Sequence, residues 1–113
     1  MSSTIRRISA LLLILLTAIS CVIHNPKPED CKEMEVVVSQ ISEGTSYDIM
    51  FTATNGDFYY INRGLEQGLD LEQLQDQLLN KKVNLHLAKT IAGTSNHIAQ
   101  LAMNREVIYT EFD

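Results

Sequence analysis

The sequence predicts a small, mainly β domain: a barrel or half-open barrel of five or six strands closed by one helix. Three observations lead there. The chain has 113 residues, of which 45% are hydrophobic, enough for one modest core and a single domain. Short alternating or β-branched runs recur along it, separated by Gly, Asn and Asp turn signals. Only one stretch, Leu69 to Asn80, repeats its leucines at helical spacing. With 2 Cys, 2 Pro and 5 Gly, the composition excludes a collagen, a four-cysteine zinc ribbon and a disulfide-dense miniprotein.

The segment Met1 to Ser20 stands apart from this fold. Arg6 and Arg7 precede an apolar run, Ile8 to Ile19, interrupted only by Ser9 and Thr17. The run suits the apolar core of a signal peptide and falls short of the ~18 residues a membrane-spanning helix needs. Its end, Thr17-Ala18-Ile19-Ser20-Cys21, resembles the lipobox of bacterial lipoproteins, with Ala18 standing where Leu is usual. The resemblance implies cleavage before Cys21, lipidation of its thiol, and a membrane-anchored lipoprotein of the cell envelope, its partner there being the membrane. Ala18-Ile19-Ser20 also fits an ordinary signal-peptidase site, which would give a soluble secreted or periplasmic protein. Cys31 is then either a lone thiol or a partner for Cys21.

Residues 21–32 read as a flexible tether, because His24 to Asp30 is polar and holds both prolines. The folded domain is expected over residues 33–113. Loss of the signal segment leaves 7 basic side chains against 14 acidic ones, a net charge of −7. Such a charge repels phosphate, so nucleic acid is excluded as a partner.

A first strand is expected over Glu35 to Ile41, where Val36-Val37-Val38 is β-branched, and Gly44-Thr45-Ser46 ends it. Strands over Tyr47–Thr54 and Asp57–Asn62 flank Asn55-Gly56, a strong hairpin signal. A two-residue loop would set Phe51 opposite Tyr60. It would place Ile49, Phe51 and Ala53 with Phe58 and Tyr60 on the core face, and Met50, Thr52, Tyr59 and Ile61 on the other. The helix has Asp70 as N-cap, Gln73 at the capping-box position, Leu69 and Leu74 as a staple, and Leu71, Leu74 and Leu78 as its stripe. Val83, Leu85 and Leu87 then alternate with Asn84 and His86, which makes His86 an exposed strand residue. Ile91 to Asn96 reads as a loop. His97–Met103 and Glu106–Phe112 form two further strands joined at Asn104-Arg105, the first of them short enough to be read as a helix instead.

Three strands, a short helix and three more strands resemble the OB-fold arrangement, an architectural likeness without a sequence motif. The segments Asp57 to Gly64 and Asn96 to Leu101 look like pieces of small uncharacterised envelope proteins, and that likeness implies no activity. No nucleotide, metalloprotease or hydrolase motif occurs, the histidines lack metal-ligand spacing, and no cofactor is expected. Asp57 is accounted for by the hairpin and Asp70 by the cap. The candidate contact residues are Tyr59 on its strand, Arg63 in the turn with Gly64, and His97 at a loop mouth beside Thr94-Ser95-Asn96. These readings predict a non-enzymatic envelope lipoprotein whose barrel binds a protein or small ligand. The alternative is a small hydrolase, or hydrolase inhibitor, acting on wall polymers. An enzyme would require His97 and a carboxylate to converge in a pocket.

Overall fold

In the computed structural model, which describes residues 27–113, the first strand is long enough to serve two neighbours. The signal segment, Cys21 and the tether up to Pro26 lie outside the described residues. Strand β1 (Cys31–Glu43) pairs antiparallel with β4 (Lys82–Thr90) from Cys31↔Ala88 to Val37↔Lys82. Its second half pairs antiparallel with β2 (Ile49–Ala53), from Val38↔Ala53 to Glu43↔Ile49. The register shifts between Val38 and Gln40, where the Ser39 hydroxyl donates to the Thr52 carbonyl at 3.0 Å. The extra residue resets the alternation, so Val36 and Val38 before it and Ile41 after it all face inward.

Strand β3 (Phe58–Ile61) pairs with β2 and also meets β5 (Gly93–Met103) in parallel at Tyr60↔His97. That contact closes the order β1-β2-β3-β5-β4 into a mixed five-stranded barrel, OB-like as expected, and β6 (Glu106–Thr110) extends the sheet from β5. Inside lie Ile49, Phe51, Ile61, Leu85, Ile98 and Leu101, each 2% exposed or less. Helix α1 (Leu71–Leu78) plugs this core with Leu74 and Leu78, while Leu69 and Leu71 pack at its edge. Asp70 caps the helix, accepting from the Gln73 N–H at 3.2 Å. Asn80 leaves it with φ 63° and donates its N–H to the Val38 carbonyl, which fastens the helix end to β1.

Four details differ from the sequence expectation. In the β2–β3 hairpin Phe51 lies opposite Tyr59, not Tyr60. The Gly56 N–H donates to the Ala53 carbonyl and the Ala53 N–H to the Asp57 carbonyl, with Gly56 at φ 92°. This is a three-residue loop with a glycine bulge, and the added residue slips the register by one place. Tyr59 and Ile61 therefore enter the core, whereas Phe58 and Tyr60 turn outward. Residues 93–96, expected in a loop, belong to β5, because Thr90↔Gly93 and Lys89↔Thr94 pair around the tight Ile91-Ala92 turn. Regular structure also begins before Glu33: Pro28–Asp30 form a 3-10 turn, and Cys31 is buried at the start of β1. His86, expected to be exposed, has a side chain only 14% exposed, with Phe112 set edge-on against its ring at 5.6 Å.

Candidate functional site

The structure offers two polar assemblies. The first forms where β3 and β6 both approach β5. His97 is buried there, its Nε2 lying 2.7 and 2.9 Å from the two Glu111 carboxylate oxygens. The Tyr109 hydroxyl donates to the same carboxylate at 2.8 Å, and the Tyr60 ring stands edge-on to His97 at 5.5 Å. Burial first, then the Glu111 carboxylate, pushes the Tyr109 phenol well above its ordinary range. Its proton therefore stays on oxygen and keeps the bond to Glu111. Ser95, the nearest hydroxyl in sequence, donates to the Ala88 carbonyl at 2.6 Å and accepts from the His97 N–H. The arrangement fastens the segment after β6 to β5, and it also holds the elements of an acid–base pair.

The second assembly is an open groove of about 450 Å³ on the outer face of β1, β4, β5 and β6. Asn84 and His86 from β4 form its floor with Gln100 and Ala102 from β5. Glu33 and Glu35 stand on one side, Arg105 and Val107 on the other, and Lys82 lies toward one end. The ladder produces this grouping. Glu33 pairs with His86 and His86 with Gln100; Glu35 pairs with Asn84, Asn84 with Ala102, and Ala102 with Val107. Residues on one face of neighbouring strands become neighbours in space. The Asn84 amide donates to Glu33 at 2.9 Å. Nδ1 of His86 is the one buried side-chain nitrogen or oxygen among the described residues with no hydrogen-bond partner.

The three contact candidates do not converge. Tyr59 is 5% exposed and packs in the core, where burial and then the Asp57 carboxylate push its phenol up. A core ring has no surface to offer a ligand, which corrects the expectation. Arg63 is exposed and pairs with Glu66 at 2.7 Å, while its N–H donates to Asp48. Gly64 beside it is packed so closely that a Cβ would lie 2.7 Å from Ile49 Cδ1. That turn is built by packing against the core. His97 sits in mid-strand instead of at a loop mouth, with Glu111 in reach but outside the groove lining. The groove residues were missed because alternating polar residues read only as a solvated face. Which strands lie side by side, and so which polar residues gather, is a property of topology.

Among the described residues Cys31 is a free, buried thiol, which burial, then the Asp30 and Glu111 carboxylates, push up. Among the described residues there is no group of three or more His, Cys, Asp or Glu placed to hold a metal, and no helix long and apolar enough to cross a membrane. Comparison of the chain with protein-family models, curated proteins and solved structures finds no match.

Proposed function

We propose that this chain is an exported, lipid-anchored protein of the cell envelope whose barrel serves as a non-enzymatic binding module. The outer-face groove is its contact surface. The groove carries the reading: it gathers two carboxylates, two cations and several amides from four strands around a space of about 450 Å³, large enough for a small ligand or a chain segment. The signal-peptide anatomy ending at Cys21 supports the address. The test is capture of envelope partners by tagged full-length chain, beside a Gln100→Trp variant that fills the groove. Capture that Gln100→Trp abolishes and His97→Gln leaves intact is the expected result. Capture indifferent to Gln100→Trp would overturn the groove as the contact surface.

One observation favours a second reading, a small hydrolase of wall polymers: the 2.7 Å approach of His97 to Glu111. In that reading the pair supplies the acid and base. Turnover of a wall-derived substrate that His97→Gln and Glu111→Gln both abolish, with the fold retained, would select it over binding.

A further inference from the structure

The groove is electrically polarised along the strands. Toward one end, Lys82 lies 4.0 Å from Glu35, so these two charges largely offset each other. Arg105 lines the groove and makes no ion pair with any described residue. It occupies the β5–β6 turn at φ 67°, a conformation in which glycine is the ordinary choice. Continuing the pairing Asn84↔Ala102 by two places sets Asn104 opposite Lys82, so the turn and Lys82 share that end. Four residues along β4, about 13 Å at strand rise, is His86. Glu33 stands beside it, its side chain 64% exposed and its Oε2 3.9 Å from His86 Nε2, too far for a hydrogen bond. One end therefore presents an exposed carboxylate, held at one oxygen by the Asn84 amide, and the other a guanidinium without an ion pair, with the amides of Asn84 and Gln100 between them.

We propose that the groove binds a short peptide with both ends free, its ammonium on Glu33 and its terminal carboxylate on Arg105. This inference rests on the groove being the contact surface. An extended peptide advances ~3.3–3.6 Å per residue, so about four residues cover the length of groove floor from His86 to Lys82. Its backbone exchanges hydrogen bonds with the Asn84 and Gln100 amides, each of which carries both donor and acceptor. Small side chains suit the floor, where Ala102 and the half-exposed Val107 supply the apolar surface. Other ligand classes fit less well. No Phe, Tyr or Trp lines the groove to stack on a sugar, and Glu33 and Glu35 oppose a phosphate.

Titration calorimetry of the detergent-solubilised full chain with tetraalanine, N-acetyl-tetraalanine and tetraalanine amide tests the proposal. Free tetraalanine is expected to bind, and blocking either end to weaken binding at least tenfold. Glu33→Gln should erase the penalty for N-acetylation alone. Arg105→Gly, which suits the turn's backbone and keeps the fold, should erase the penalty for amidation alone. No binding of tetraalanine, or equal binding of all three peptides, would overturn the assignment. If that happens while Gln100→Trp still abolishes envelope capture, the peptide assignment falls and the groove stands as the contact surface. If both measurements fail, both readings fall.

Discussion

Tyr109 and Gly64 show how much of this fold hangs on single atoms. The Tyr109 hydroxyl donates to Glu111, which also meets His97, so one proton helps to join three side chains. Its folded-state pKa is raised above the unfolded value of ~10. The protonated phenol is the form the fold favours. Its stabilisation is therefore complete below pH ~10 and is lost as pH rises from there through the folded value. Tyr109→Phe should cost about 0.5–1.5 kcal/mol at neutral pH. It should also make stability fall less steeply above pH ~10, the remaining slope including Tyr59, whose phenol is shifted the same way. Urea unfolding at pH 7 and at pH 10.5 measures both effects. Equal alkaline losses in the two proteins would contradict the account. Gly64 is buried against Ile49 and Ile61, both fully enclosed. A methyl there would come within 2.7 Å of Ile49 Cδ1 and 3.0 Å of Ile61 Cγ2. Neither side chain has room to retreat. Gly64→Ala should therefore lower stability by about 1–3 kcal/mol, read as a fall in the denaturant midpoint at unchanged slope.

At the scale of elements, helix α1 tests how the barrel is closed. Leu74 is 2% exposed and Leu78 fully buried, so the helix contributes a plug more than a surface. Leu74→Ala should cost about 2–5 kcal/mol through lost burial and a residual cavity. Leu74→Asp, which would bury an unpaired charge, should leave no cooperative thermal transition. An aspartate variant that melts like the parent would place the helix off the core. This helix was legible because its signals are local: Asp70, the leucine stripe and Asn80 all act within one stretch of chain. The Asn104-Arg105 turn was legible for the same reason, both residues adopting positive φ between two strands. The β2–β3 hairpin shows where local signals stop. Asn55-Gly56 marks the turn, but loop length sets the register. One added residue exchanged Tyr60 for Tyr59 in the core and took a contact candidate off the surface. His97 was misplaced for a related reason. Gly93-Thr94-Ser95-Asn96 has the composition of a loop, yet pairing with β4 holds it extended and carries His97 into the strand. The groove was least legible of all, since its residues come from strands that topology alone makes neighbours.

At the scale of the whole molecule, the proposed anchor at Cys21 would set how far the barrel stands from a membrane. Ten chain steps, with nine residues between, lead from Cys21 to Cys31. Fully extended they reach about 35 Å, which bounds the distance from a lipid on Cys21 to the barrel. Cys31 is not part of a loose tail: it starts β1, pairs with Ala88 and is buried, and its thiol is held protonated. Disulfide formation needs an accessible thiolate, so pairing of Cys31 with Cys21 would require the start of β1 to open. A Cys21–Cys31 disulfide thus predicts an opened start of β1, whereas the anchored proposal predicts an acylated Cys21 and a closed one. Intact mass of membrane-extracted protein is expected to show a chain beginning at Cys21 and carrying acyl groups. Cys31 should react with a maleimide only after denaturation. Cys21→Ser should abolish the acyl mass and move the protein out of the membrane fraction, with the barrel's melting temperature unchanged. A wild-type protein found without acyl chains, in the soluble fraction and with Cys21 bonded to Cys31, would overturn the anchored reading and show that the start of β1 opens in the cell.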